Sequence, residues 1–292
     1  MNISTSLNVF EIDHPIDRQI ARCKEAGFLA LDFNYWDYQE TVAKMTWQEE
    51  EAWARNIREA ADTHGVRFTQ MHGPVHGGSF TEMVMGLNVE SFLEMASRSL
   101  RMAAILGVPW AVFHPSPLSL QGEESLREVL DANVEFYRKL LPVMEETGVG
   151  IALENIFDRT GGETGLFRRI YCAIPEQLAE LLERIDHPLF GVCWDTGHGH
   201  RQGLRQAPSI RMLGRWLKSL HIQDNNGLHD QHLLPYSGTI DWKEVVSALR
   251  EVGYAGDFTY EAHNSVRTLP DGLRDAALQY AYATAEFVLR NG

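Results

Sequence analysis

Four short apolar runs, each stopping on a side chain that can bind a metal, constrain this chain more than anything else in its sequence. They read Ile151-Ala152-Leu153-Glu154-Asn155, Gly191-Val192-Cys193-Trp194-Asp195, Leu220-His221-Ile222-Gln223-Asp224 and Phe258-Thr259-Tyr260-Glu261. Their length and their β-branched or aromatic content are those of buried strands, and loop-type residues follow. Helix-length spacers separate them. In a closed parallel barrel all strand C-termini meet at one mouth, so a Glu, an Asp, a His and a second Glu are expected to converge there.

The same alternation runs from end to end. Strands are expected at Asn2–Val9, Phe28–Asn34, Val66–Met71, Trp110–Phe113, Gly150–Asn155, Phe190–Asp195, Lys218–Gln223 and Asp257–Ala262. Helices fill the intervals, and a last one covers Leu273–Leu289. Gly27, Gly65, Gly107, Gly148 and Gly253 mark helix ends. Pro142 breaks or bends the helix read over Glu123–Thr147, Pro175 starts one, and Asp241 caps another. Three stretches fall outside the pattern: a glycine-rich loop from Gly73 to Gly86, a long loop over Phe157–Ala173, and a polar stretch after Asp195. With eight strands, eight helices and no break in composition, the reading is one α/β domain over Met1–Gly292, a single (β/α)8 TIM barrel. A doubly wound open sheet is the alternative, weakened because no GxGxxG follows the first strand.

Charge and cysteine usage narrow the partners. A formal charge of −14 would repel a phosphate backbone, and no Lys/Arg-rich stretch offsets it. Small-molecule chemistry is favoured over nucleic acid, and bound cations could neutralise part of the excess. Cys23, Cys172 and Cys193 show no CxxC spacing, which argues against a disulfide framework and a thiolate zinc site. No apolar run approaches the roughly 18 residues of a membrane span, and Met1–Phe10 lacks a charged-then-apolar leader, so a cytoplasmic location is the default expectation.

Glu154, Asp195, His221 and Glu261 supply three carboxylates and one imidazole. That set suits Mn²⁺, Mg²⁺, Co²⁺ or Zn²⁺ and does not choose among them. Any one buried carboxylate is more commonly a salt-bridged structural group than a ligand. Four at the same end of one barrel reverse that expectation.

The sequence resembles the xylose isomerase-like barrels, a superfamily of sugar and sugar-phosphate isomerases and epimerases that also includes endonuclease IV. Its most specific pieces are Ala152-Leu153-Glu154-Asn155, Trp194-Asp195-Thr196-Gly197-His198, and the stretch from His221-Ile222-Gln223-Asp224 through Asp230-Gln231-His232 to Gly238-Thr239-Ile240-Asp241-Trp242. The resemblance implies that Glu154, Asp195, His221 and Glu261 hold one divalent metal. It further implies that Glu154 and Glu261 double as the acid/base pair and that His198 touches substrate. Ketose 3-epimerases carry a substrate arginine a few residues after the metal histidine; here Asn225-Asn226-Gly227 stands instead, so the resemblance does not fix the sugar. Moving a proton next to a carbonyl requires a base on one face of the carbon and electrophilic stabilisation of the enediolate oxygens, which these residue types fit.

A second set also sits at strand ends or in the loop after the seventh strand: His72, His114, His198, Asp230 and His232. In endonuclease IV, matching residues and the four above hold three zinc ions, so between one and three metals are open on sequence. A lone histidine is more often a hydrogen-bonded polar residue than a ligand. Against the nuclease, Ser4-Thr5-Ser6-Leu7 replaces its glycine- and alanine-rich first loop, and no basic DNA-facing loop is present. The expected activity is therefore isomerisation or epimerisation of a sugar, sugar phosphate or related polyol ketone. A multinuclear zinc phosphodiesterase and a non-catalytic sugar-binding barrel are the alternatives.

Other residues carry two readings each. Trp36, with Tyr35 and Phe33, forms either a wall beside a sugar ring or ordinary packing. Arg159, Arg168 and Arg169 either hold a substrate phosphate or belong to a solvated lid. His72 and His114 are ligands or substrate contacts. Trp53, Trp216 and Trp242 are expected to pack helices on the barrel, and Met83, Met85, Met95 and Met102 to fill core or loops. Barrels of this kind often pair, so a homo-oligomer is a further expectation.

Overall fold

In a computed structural model of the chain, residues 1–75, 89–115, 123–161 and 166–292 are described. Ten strands follow in order: β1 Ile3–Ser6, β2 Ala30–Asn34, β3 Arg67–His72, β4 Trp110–Phe113, β5 Gly150–Glu154, β6 Arg159–Gly161, β7 Leu166–Arg168, β8 Phe190–Asp195, β9 Leu217–His221 and β10 Phe258–Tyr260. Eight of them form one all-parallel sheet in the order β10-β1-β2-β3-β4-β5-β8-β9. Ile222, just past β9, closes it. Its N–H donates to the Thr259 carbonyl at 2.8 Å, and its own carbonyl accepts from the Glu261 N–H at 3.1 Å. The chain is thus a (β/α)8 barrel, as the alternating pattern required.

The local signals act as read. Thr46 forms a capping box with Glu49 at the start of the helix Trp47–His64, and Gly65 ends it at a φ of 64°. Asp241 caps Trp242–Glu251 by accepting from the N–H groups of Lys243 and Glu244. The helix expected over Glu123–Thr147 is two helices, Glu123–Lys139 and Leu141–Thr147, with Pro142 in the first turn of the second. Trp242 is fully buried, and Trp53 and Trp216 pack partly buried on the core with Met95, as expected.

Four expectations change. β1 ends at Ser6, and Leu7–Val9 turns into a 3-10 helix capped by the Ser6 hydroxyl. The 157–173 loop carries a two-stranded antiparallel hairpin, β6 and β7. The polar stretch after Asp195 is a helix, Thr196–Arg201, despite two glycines of poor helix propensity. Both glycines are required by close approach: a Cβ at Gly197 would overlap the Gln223 side chain, and one at Gly199 the Trp194 ring. The helix read near Ser209–Trp216 begins earlier, at Gln206, and finishes as a 3-10 turn. Most of the glycine-rich loop read over Gly73–Gly86, including Met83 and Met85, lies outside the described residues. Among the described residues no helix is long and apolar enough to cross a membrane.

Side chains alternate along a strand, so residues two before each strand-end group line the barrel lumen beneath it. On one side these are Val112, Ala152 and Cys193, a small apolar cluster separate from the main core. On the other they are Gln70, Ser219 and Thr259, all buried and polar.

The long loop after β9 is pinned by one buried carboxylate. Asp224 accepts from the N–H groups of Asn225, Tyr236 and Ile240 at 2.9, 3.0 and 3.2 Å and from the Trp242 indole N–H at 3.0 Å. Its backbone pairs with Leu233. The loop holds two non-glycine residues in the left-handed region, His232 at φ 48° and Tyr236 at φ 71°, a conformation the surroundings must enforce. Asp224→Ala leaves three buried donors and one half-buried donor unpaired and is expected to destabilise the protein by about 3 kcal/mol, read as a lower urea midpoint at unchanged slope.

Candidate metal centre

The described Glu, Asp and His side chains singled out at strand ends and in the loop after β9 meet at one mouth of the barrel. Glu154 ends β5, Asp195 ends β8, His221 ends β9, and Glu261 follows β10. Each of the four offers one ligand atom within 4.8 Å of the others, and all four are buried. Two further groups meet the same criterion: His72, His114 and Glu154 on one flank, and His198, Asp230 and His232 on the other.

Glu154 joins the groups. Its Oε2 lies 3.2 Å from His114 Nε2 and 3.5 Å from His72 Nε2. Its Oε1 lies 3.2 Å from both His221 Nδ1 and His198 Nδ1. His221 Nδ1 is also 3.5 Å from Glu261 Oε2. Asp230 Oδ2 sits between His232 Nε2 at 3.1 Å and His198 Nε2 at 3.5 Å.

The histidines are oriented as ligand histidines are. His72, His198 and His232 each direct Nδ1 at a backbone carbonyl, of Gly73 at 2.9 Å, Asn155 at 2.8 Å and Glu261 at 2.9 Å. Donation there leaves each Nε2 as the free atom facing the site, the arrangement in which a second partner fixes the ligating nitrogen. The Nε2 atoms of His72 and His114 are 3.3 Å apart, where two lone pairs need a proton or a cation between them. Both oxygens of Glu154 and both nitrogens of His221 are buried without a hydrogen-bond partner. Such orphaned polar atoms are rare in native interiors, and a bound cation satisfies them.

Within this cluster the carboxylates and imidazoles shift one another's protonation. Burial alone would raise Glu154, but the facing His221 and His114 hold its carboxyl well below the usual range. Burial raises Asp195, helped by the neighbouring charges of Glu154 and Glu261. His198 and His221 are pushed well up by the surrounding carboxylates despite the opposing effect of burial. Burial likewise opposes protonation of His232, yet Asp230 and Glu261 hold it at about 9.

The lesser candidates divide. Tyr35 is buried with its hydroxyl donating to Glu50, and Phe33 stacks on Tyr38, so both are packing residues. Trp36 stands at the mouth, its ring 6.5 Å from that of His72. The side chains of Arg159 and Arg168 lie outside the described residues, and Arg169 is exposed. Sequence reasoning assigned no role to Asn155, Gln223 or Asp32. Asn155 clamps Asp195 through both backbone groups at 2.7 and 2.9 Å. Gln223 donates to Asp230 at 2.8 Å and to Asp195 at 3.4 Å. Asn155 and Gln223 adjoin ligand strands, a proximity that could have marked them; Asp32, inside an apolar strand, gave no such signal.

Fold and site define a class. Residues 20–282 match the family model described as xylose isomerase-like TIM barrel, and the chain belongs to that family. An uncharacterized protein of Methanocaldococcus jannaschii is 27% identical over 213 residues, 71% of this chain and 68% of that protein. D-Psicose 3-epimerase of Ruminiclostridium cellulolyticum is 23% identical over 207 residues, 70% of this chain and 66% of the enzyme. Among solved structures, a D-tagatose 3-epimerase-like protein superposes with a TM-score of 0.76 at 22% identity, over 99% of both chains. D-Allulose 3-epimerase from Methylomonas sp., in complex with D-allulose, gives 0.76 at 17% identity, over 100% of this chain and 97% of that one.

A group whose folded pKa lies above its unfolded value contributes stability below the unfolded value and loses it as pH rises through the folded one. For His232 that window runs from about 6.5 to about 9. Protein stripped with chelator is therefore expected to melt at a lower temperature at pH 9 than at pH 6.5, and His232→Gln to flatten that dependence.

Proposed function

We propose that this barrel is a divalent-metal-dependent isomerase or epimerase of a sugar, sugar phosphate or related polyol ketone. The observation that carries the reading is the convergence of Glu154, Asp195, His221 and Glu261 on one point at the barrel mouth. Mn²⁺, Co²⁺, Zn²⁺ and Mg²⁺ all suit that donor set; bound there, the ion would polarise adjacent substrate oxygens and stabilise an enediolate. Glu154 and Glu261 enter from β5 and β10, three strands apart around the barrel, and so reach a bound carbon from different sides. One carboxylate removes the proton beside the carbonyl and the other returns it. Return to the opposite face of the same carbon gives an epimer; return to the neighbouring carbon gives an aldose–ketose pair. His198, which the helix Thr196–Arg201 holds at the mouth, and Trp36 would orient the sugar. The D-psicose and D-allulose 3-epimerases to which the chain is similar favour the same chemistry.

The test is solvent hydrogen exchange. Metal-loaded enzyme in deuterated water is expected to place deuterium beside the carbonyl of a ketose or its phosphate across a substrate screen. Glu154→Gln should cut that exchange by about 10²–10⁴-fold while leaving the circular dichroism spectrum unchanged. Sugar binding without exchange in the wild type would instead indicate a binding barrel, and wild-type exchange in the variant would remove Glu154 from the mechanism.

A specific observation favours a second reading: the two flanking groups, His72/His114/Glu154 and His198/Asp230/His232, make room for a multinuclear site of the hydrolytic kind. Metal analysis of protein purified without chelator, paired with an abasic-duplex cleavage assay, separates the two. Deuterium exchange without strand cleavage is expected at any metal count. Three zinc ions per chain together with cleavage would establish the phosphodiesterase instead.

A further inference from the structure

One buried carboxyl group beside the site belongs to none of the three ligand groups. Asp32, on β2, is fully buried, and its Oδ2 lies 3.7 Å from His221 Nε2. Gln70 reaches over from β3. Its Nε2 donates to that oxygen at 3.3 Å and to the Leu220 carbonyl at 3.4 Å, tying Asp32 to the backbone one residue before His221. Asp32 Oδ1 has no hydrogen-bond partner.

The two nitrogens of His221 face different chemistry. Nδ1 points at Glu154 and Glu261, toward the four-residue ligand set. Nε2 points away from it, into the lumen, where Asp32 is the facing carboxyl group. The ring stacks on His72 at 5.5 Å and 12°, which restricts its tilt. An imidazole that binds a cation through Nδ1 carries its proton on Nε2, and a buried N–H needs an acceptor. At 3.7 Å the approach is longer than a hydrogen bond. Oδ1 is unengaged, and rotation about the soft terminal torsion of the carboxyl is the adjustment that would bring an oxygen within reach.

We propose that Asp32, held by Gln70, is the positioning residue of the metal centre. It accepts the Nε2 proton of His221, fixes the tautomer in which Nδ1 can bind an ion, and makes that nitrogen a better donor. The inference rests on the reading of His221 as a ligand.

The test is a titration of the full-length, metal-free protein with Co²⁺ at neutral pH, followed by its d–d absorption and by competition with a chelator. Asp32→Asn has nearly the same shape, but its amide offers an N–H to the ring and stabilises the wrong tautomer. It is expected to weaken Co²⁺ binding about 10–100-fold and to alter the d–d spectrum. Asp32→Glu, which returns an acceptor, should recover part of the loss. Gln70→Met keeps the carboxyl and removes its anchor, so it should weaken binding in the same direction, and it decides the matter if Asp32→Asn does not fold. Wild-type Co²⁺ affinity in the folded Asp32 and Gln70 variants would overturn the proposal, even with a lowered melting temperature, since that pattern marks a merely structural role. Failure of the underlying reading looks different: wild-type protein that takes up no Co²⁺, or His221→Ala that binds it as wild type does.

Discussion

The top of this barrel is arranged around the charge on Glu154. Its carboxylate is fully buried, with imidazole nitrogens of His72, His114, His198 and His221 at 3.2–3.5 Å from its two oxygens. Removing such a group from water costs several kcal/mol unless opposite charge and directed donors replace the solvent. Opposite charge comes in part from the facing histidines: despite burial, Asp195, Asp230 and Glu154 push His198 well up, whereas burial pushes His114 down. An ion at the site would take the place of protons on the nitrogens that face it, Nε2 of His72 and His114 and Nδ1 of His221 among them. The ring orientations do not depend on an ion, because Nδ1 of His72 and of His198 is already committed to a backbone carbonyl.

A shared carboxylate of this kind needs a rigid frame, and the frame is made largely by side chains that continue the sheet where its ladder stops. The β5–β8 ladder ends at the Glu154–Cys193 pair. One step further, the Asn155 carboxamide bonds both backbone groups of Asp195 and carries on the pairing in place of main chain. Gln223 does the equivalent after β9, joining Asp195, Asp230 and the His232 N–H. Thr196 Oγ1 adds a bond to the Gln223 carbonyl at 2.7 Å. The helix Thr196–Arg201 exists in that space only because Gly197 lets Gln223 pass.

The fold was legible because its signals are periodic and redundant: eight apolar runs, helix-length spacers and a glycine or proline at most boundaries. The convergence of Glu154, Asp195, His221 and Glu261 followed from topology alone, since strand order places strand ends at one mouth whatever the loops do. What the sequence hid depends on tertiary contacts. Thr196–Arg201 reads as loop because its two glycines weaken helix propensity, and it becomes helix because the Asp195 cap and the Gln223 and Trp194 side chains enclose it. The hairpin Arg159–Gly161 with Leu166–Arg168 has only three residues per strand, too few for a periodic signal. Phe33 faces the helices because it alternates with Asp32 along β2, and Tyr35, first residue of the 3-10 helix Tyr35–Tyr38, turns its hydroxyl to Glu50.

Asp32 shows why a polar residue inside an apolar strand is the hardest signal to read. Ala30-Leu31-Asp32-Phe33-Asn34 looks like a buried strand with two interruptions, and both interruptions point into the lumen. A barrel with a purely hydrophobic lumen would place Val, Ile or Leu there. This lumen is instead divided. Val112, Ala152 and Cys193 fill it beneath β4, β5 and β8, while Asp32, Gln70, Ser219 and Thr259 fill it beneath β2, β3, β9 and β10. The apolar half lies under Glu154 and Asp195, which take their support from Asn155 and the facing histidines above. The polar half lies under His221, whose Nε2 faces Asp32 in the lumen at 3.7 Å. Within the polar half, Asp32 and Gln70 lie on the side of the His221 ring opposite Glu154 and Glu261.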